Sequence, residues 1–431
     1  MGIPLRKGRR RRRSYADYRP PRYRQGPRND PFRILFYLLL IAGAIWVYFN
    51  REAVRAYLAV QTPQAEPASV SAQVGTPAPD INEVLAQTVA QAEQAYQEGR
   101  LAQAVDLYRK AAEMNPANVG YHVQIARLLL FNSAMQYGEQ RRATLSEAEA
   151  AANDAITADP FHPAGYAILG KVYDWQNRPD QALSTIRQAL DYDPNYAVGI
   201  AYYAEALVDL DRWDEATETI EQALALAPND VDVRRDYAYI LERLGDYASA
   251  ATQYETALRL HPNLPYLHMA LGRTYRELGR YTEAQDQFFA AQLIEPSNAL
   301  IAFELGRTYE SYVGDPATAL QYYQRAVELD EAFTNAWLRV GALHFYAQNY
   351  AEAIAAYERA LGLGATNNEV HYQLGFAYAQ QGACAEAIPH LREAQAAAQD
   401  NQRVLDIIAQ GYEACSQIMP TPAPVTPTAA P

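Results

Sequence analysis

Residues 166–194 read YAILGKVYDWQNRPDQALSTIRQALDYDP, and residues 266–296 read YLHMALGRTYRELGRYTEAQDQFFAAQLIEP. Each stretch holds two runs split by a short polar turn. Within each run, apolar or small residues fall at i, i+3, i+4 and i+7, one face of an α-helix. Proline then ends the second run, because it lacks a donor and clashes with the preceding turn. Working outward, the terminating proline recurs at Pro116, Pro160, Pro194, Pro228, Pro262 and Pro296, and the last four intervals are 34 residues. Two alanine columns keep the same register: Ala104, Ala148, Ala182, Ala216, Ala250 and Ala284, then Ala111, Ala155, Ala189, Ala223, Ala257 and Ala291. A fixed period of this size predicts stacked helix pairs. The register gives nine pairs, beginning near 85, 119, 163, 197, 231, 265, 299, 334 and 368. A capping helix over about 402–416 follows, with Leu405, Ile408, Ala409 and Tyr412 inward and Arg403, Asp406, Gln410 and Glu413 outward. Three irregularities interrupt the pattern. The second pair carries ten extra residues within about 132–145, the seventh has one extra near Gly314-Asp315-Pro316, and the first is degenerate.

Each first helix carries a small residue (Ala126, Gly170, Ala204, Ala238, Gly272, Gly306, Gly341, Gly375) that lets its partner approach. Several second helices supply an aromatic to fill the space between them: Tyr108, Tyr254, Phe288, Tyr323 and Tyr357. Tyr166-x2-Leu169-Gly170-x2-Tyr173, Ala182-x3-Ile186-x2-Ala189 and Pro194 together resemble the tetratricopeptide repeat family. Leu271-Gly272-x2-Tyr275 with Ala284-x3-Phe288-x2-Ala291, and Trp337-x2-Val340-Gly341 with Ala353-x3-Tyr357-x2-Ala360, repeat the likeness. The resemblance covers about 85–417. It implies an all-α superhelical solenoid whose concave groove receives protein or peptide partners.

The chain has 431 residues and a net charge of −13, but the charge is split. Residues 1–33 hold twelve basic residues against Asp17 and Asp30, so a +10 head precedes a −23 body. The acidic body is a poor match for nucleic acid through its bulk field. A hydrophobic content of 49% excludes general disorder. Two cysteines exclude a disulfide-dense mini-fold, a four-cysteine zinc site and an iron–sulfur framework.

After the head, residues 34–49 read ILFYLLLIAGAIWVYF, bounded by Arg33 and Arg51. The run is short for a bilayer span, but flanking arginines can snorkel and Tyr37, Trp46 and Tyr48 suit the interface. No Ala-x-Ala follows, which favours an uncleaved signal anchor over a cleaved signal peptide. The arginine-rich flank places the head in the cytoplasm and the body outside it, as a single-pass protein of the plasma (inner) membrane. The domain reading is therefore a basic head over 1–33, a transmembrane anchor over 34–50, a Pro/Ala/Ser/Thr-rich linker over 51–84, repeats over 85–417 and a Pro/Thr-rich tail over 418–431.

Motifs for chemistry are absent: there is no HExxH, GxxxxGK[ST] or GxSxG. His122, His268 and His371 share the column that holds Tyr166 and Trp337, and read as packing residues. No catalytic residue, metal site or cofactor is expected. Cys384, at a turn of the last repeat, and Cys415, at the end of the cap, fall on the same rim of adjacent units. They are either a disulfide staple or two unrelated small residues.

The concave register of repeats five to seven presents Arg235, Tyr239, Tyr266, Met269, Arg273, Arg276, Phe303 and Arg307. Arginines among aromatics in an acidic body would favour a carboxylate-bearing peptide. The competing reading pairs these arginines with Glu242, Glu277 and Glu310 along their own helices. Repeats eight and nine offer a second aromatic stretch, Leu338, Phe345, Tyr346, Tyr372 and Phe376. The functional expectation is a non-enzymatic, membrane-tethered scaffold or assembly factor. Its alternative is a non-catalytic accessory subunit of a cell-envelope enzyme complex. Anionic lipid or nucleic acid at the basic head is a third, weaker partner class.

Overall fold

The computed structural model describes residues 80–366, 368–398 and 401–418. The basic head, the 34–50 segment, residues 51–79 of the linker and the 419–431 tail lie outside the described residues. Among those described, all regular structure is helical, in nineteen α-helices. Among them no helix is long and apolar enough to cross a membrane.

Repeat one is α1 (Ile81–Gln97) and α2 (Leu101–Met114); repeat two is α3 (Val119–Ser133) and α4 (Gly138–Ala158). Repeats three to five are α5 (Pro163–Trp175) with α6 (Pro179–Tyr192), α7 (Ala197–Asp209) with α8 (Trp213–Leu226), and α9 (Val231–Leu244) with α10 (Tyr247–Leu260). Repeats six to nine are α11 (Pro265–Glu277) with α12 (Tyr281–Ile294), α13 (Ala299–Thr308) with α14 (Pro316–Leu329), α15 (Thr334–Tyr346) with α16 (Tyr350–Gly362), and α17 (Asn368–Gln380) with α18 (Cys384–Ala397). The last helix is α19 (Gln402–Ile418).

The alanine columns explain how the helices pack. All twelve alanines named above have no exposed surface. A larger side chain there would hold the paired helices apart. The first-helix glycines work with the aromatic column. A Cβ on Gly272 would lie 2.7 Å from the Phe288 ring, and one on Gly341 2.6 Å from Tyr357. First helices of repeats two to five pack directly on one another, and no comparable packing joins successive second helices. The first helices therefore form the inner, concave wall.

Local signals set the boundaries. α1 starts four residues before the expected register, inside the segment read as linker, because the Asp80 side chain accepts the Asn82 N–H at 3.0 Å and caps it. Asp230 accepts from Asp232 and Val233, and Asn118 and Asn298 each cap their helices. The extra residue of repeat seven becomes one turn of π-helix, Tyr309–Val313, closed by Gly314 at φ 74°.

The histidine column is not core. His122, Tyr166, His268 and Trp337 are half-buried and bond the backbone carbonyl six residues earlier: Pro116, Pro160, Pro262 and Glu331, at 2.9–3.0 Å. Arg234 fills the column in repeat five and reaches Pro228 in the same way, at 2.8 Å. The expectation of simple packing is corrected to a tie that fastens each inter-repeat turn to the next helix. His371 differs, and its Nδ1 faces His390 Nδ1 at 3.0 Å.

Candidate functional site on the concave wall

The ten extra residues of repeat two reshape the groove. They lengthen α4 to 21 residues and carry Tyr137 and Arg141 across the interior. Tyr137 hydrogen-bonds Asp330 and stacks on Phe333, and Asn298 donates to the Met135 carbonyl at 3.2 Å. Repeat one touches the turn between repeats five and six as well. Asn263 donates to the Gln97 carbonyl at 2.8 Å, Tyr96 packs on His261 with centroids 4.3 Å apart, and a Cβ on Gly99 would sit 2.0 Å from the Asn263 carbonyl oxygen. Gly99 also holds φ 77°, so both its missing side chain and its backbone freedom are required. Between these ends, Phe131 of α3 stacks on Tyr266 of α11 at 4.7 Å. The first five to six repeats thus close upon themselves, and the interior is filled by the chain's own side chains.

The fill is ionic. Lys171 of α5 has no exposed surface and pairs with Glu205 of α7 at 2.5 Å and Asp236 of α9 at 3.2 Å. Arg235 contacts the same two acids, at 3.0 and 2.5 Å. Trp175 donates its Nε1–H to Glu205 at 2.8 Å. Burial pushes the Glu205 carboxyl up, but Arg235 and Lys171 outweigh it and hold it down to about 2. For Asp236 burial wins over the same cations and pushes it up to about 7. A separate pair lies beside this network: Arg127 grips Asp232 through two bonds of 2.6 and 2.7 Å, while Tyr202 donates to Asp232 at 2.9 Å.

These facts sort the sequence-expected groove residues. Arg235, Tyr266, Met269 and Arg276 are buried. Arg276 pairs with Glu304 at 2.6 Å, and Arg307 meets the same acid at 3.3 Å. Tyr239 donates to Asp209 at 2.9 Å. Tyr239, Arg273, Phe303 and Arg307 are only half-buried. The expected strip is therefore divided: Arg235 and Tyr266 lie against Phe131 of repeat two, and Arg276 lies against Phe288 and Tyr312, so these members are engaged within the chain. The expected partners Glu242, Glu277 and Glu310 are corrected too. Arg235 pairs with Glu205 on the preceding first helix and with the adjacent Asp236, Arg276 with Glu304 on the following first helix, and Arg307 with Glu304 on its own helix.

Among the openings on this wall, two bear on function. One, of about 370 Å³, lies among α4, α5, α7, α9 and α11, lined by Arg141, Asp174, Trp175, Asp209, Tyr239 and Arg273 among others. The other, of about 240 Å³, lies over repeats seven to nine, where Phe303, Leu338, Arg339, Tyr346, Tyr357 and Gln373 face it. Tyr346 is 62% exposed there. At the far end, Cys384 and Cys415 are joined as a disulfide with Cα atoms 5.4 Å apart, tying α18 to α19. Among the described residues no group of three or more His, Cys, Asp or Glu could hold a metal ion.

Models of the tetratricopeptide repeat match residues 164–196, 204–262, 241–302, 302–336 and 341–382. Comparison with curated proteins gives no match. Among solved structures, the chain is similar to a human IFIT1 dimer with PPP-AAAA, at 19% identity, covering 74% of this chain and 86% of that one, TM-score 0.48. It is similar to the APC/C hetero-tetramer Cut9–Hcn1, at 16% identity, covering 77% and 76%, TM-score 0.48. It is also similar to PilW, a type IV pilus biogenesis factor, at 20% identity, covering 48% and 96%, TM-score 0.44.

Proposed function

We propose that the chain, which matches tetratricopeptide repeat models between residues 164 and 382, is a membrane-tethered scaffold whose partner docks on the open wall of repeats seven to nine. One observation carries this reading. Much of the concave wall of repeats two to six is occupied by the chain's own buried side chains, whereas Phe303, Leu338, Arg339 and the 62% exposed Tyr346 line an opening on the wall of repeats seven to nine. Half-buried Leu338 and exposed Tyr346 beside Arg339 suit an extended protein segment that brings an apolar side chain and a carboxylate. The 16-residue apolar run after an arginine-rich head supplies the tether and puts the repeats outside the cytoplasm.

The test is co-purification of the full chain from detergent-solubilised membranes. A protein partner should be retained by the natural sequence and lost with Leu338→Asp or Tyr346→Ala. Retention by both variants would remove repeats seven to nine from the interface. Protease added to intact cells, with any outer barrier opened, should degrade the repeats. Persistent protection would overturn the outside assignment.

A further inference from the structure

The 370 Å³ cavity on the wall of repeats two to six is built differently from its surroundings. Every other buried acid of the ionic network has a partner, but Asp174 does not. It is 5% exposed, and neither carboxylate oxygen finds a hydrogen bond. A buried carboxyl without a donor costs free energy that a bound donor would recover. Lys171, one helical turn away, is committed to Glu205 and Asp236. Glu205 and Asp209, which also line the cavity, sit close enough to Asp174 to raise its proton affinity further, on top of burial. Glu205 is held by Lys171 and Arg235 and Asp209 by Arg243 at 2.6 Å, so Asp174 is the acid of this wall left without a partner.

The facing wall is positive. Arg141 comes from the lengthened α4 and Arg273 from α11. Among the described residues, neither has a carboxylate within ion-pair distance, and the only side-chain bond from Arg273 goes to the Met269 carbonyl at 3.2 Å. The two guanidinium groups are near enough for Arg273 to weaken the hold of Arg141 on its proton, after burial. The two like charges converge on one space, and Glu242, the acid that lines it beside Arg273, already accepts from Thr274 and Tyr254, so a further anion would be stabilised there. Arg141 lies over the Trp175 ring at 5.7 Å, and Tyr266 leaves its hydroxyl without a partner.

We propose that this cavity binds a small zwitterion of amino-acid to dipeptide size, its carboxylate held by Arg141 and Arg273 and its ammonium by Asp174. A simple anion would leave Asp174 unpartnered, and a simple cation would leave the arginines uncompensated. The volume suits such a ligand and lies at the small end of ligand pockets. The site exists only because the insertion in repeat two carries Arg141 across the groove. It is independent of the docking wall on repeats seven to nine.

Thermal-shift and calorimetric titration of the full chain in detergent with L-alanine and L-Ala-L-Ala tests the idea. At least one should bind saturably and raise the melting temperature with concentration. Its N-acetylated and C-amidated forms should bind at least about tenfold more weakly, the loss expected for a hydrogen bond to a charged group. Asp174→Asn should weaken the free ligand but not the N-acetylated one, and Arg273→Gln should weaken the free ligand but not the C-amidated one. No saturable binding of either free ligand would overturn the proposal. So would blocked forms that bind as well as the free ones, or sulfate that protects equally well, and these readings need no variant to fold.

Discussion

Tyr137 lies flat on Phe333, ring centroids 3.8 Å apart and planes 18° apart, although 196 residues separate them in the chain. One ring stands at the head of the lengthened α4, the other at the start of repeat eight. With the Tyr137–Asp330 hydrogen bond, this contact holds the early repeats against the late ones. Tyr137→Ala should destabilise the folded chain by about 2–3 kcal/mol, and Tyr137→Phe by about 1 kcal/mol because only the hydrogen bond is lost. Urea unfolding measures both. A larger radius of gyration by small-angle scattering should accompany the alanine variant, and unchanged dimensions would show that the contact does not restrain the superhelix.

Lys171 is the cation that two buried acids share. Replacing it by Met leaves Glu205 and Asp236 with Arg235 alone. A buried charge stripped of its partner costs about 3–5 kcal/mol. Lys171→Met should therefore lower the urea midpoint sharply, and adding Asp236→Asn should recover much of the loss. If the double variant is no more stable than the single one, the two side chains are not coupled.

Stability should also depend on pH through the acids whose proton affinity burial raises. The folded pKa of such a group exceeds its unfolded value near 4, so its contribution is full below that value and is lost as pH rises through the folded one. For Asp236 the window runs from about 4 to about 7. Asp174 is pushed up in the same direction, chiefly by burial and then by Glu205. Asp174→Asn should gain stability relative to the natural chain as pH rises from 4 to 8. Parallel stability curves for the two proteins would contradict a raised Asp174.

The Cys384–Cys415 bridge closes a loop with a sequence separation of 31. Chain-entropy reasoning gives about 3–4 kcal/mol for a loop of that size. Reductant, or the Cys384→Ala/Cys415→Ala pair, should expose α19 to protease before the rest of the repeats. Equal protease resistance with and without reductant would mean that the cap is held by Leu391 and its apolar neighbours alone.

The architecture was legible from the sequence because its determinants recur: two alanine columns, a small-residue column facing an aromatic one, and a proline every 34 residues. The wall's chemistry was less legible. Its arginines were weighed against Glu242, Glu277 and Glu310 along their own helices. The structure pairs Arg276 with Glu304 across 28 residues, Trp175 with Glu205 across 30, and Thr274 with Glu242 across 32. These separations are close to one repeat, so opposite charges spaced by about 30 residues were the signal to seek. The closure itself left no periodic trace. The insertion of repeat two reads as a break in the pattern, and nothing in its sequence says that Tyr137 reaches Phe333.

That closure alters how the molecule should come apart. A linear array of repeats interacts only with nearest neighbours, so it can fray from either end one unit at a time. Here the Gln97–Asn263, Met135–Asn298 and Tyr137–Asp330 contacts join units far apart in the chain. Losing repeat one also undoes a contact on the turn between repeats five and six, so repeats one to eight should melt as one cooperative block with slow, high-contact-order folding. Repeat nine and α19 lie outside that block, which leaves their local disulfide as the device that keeps the free end from unravelling first.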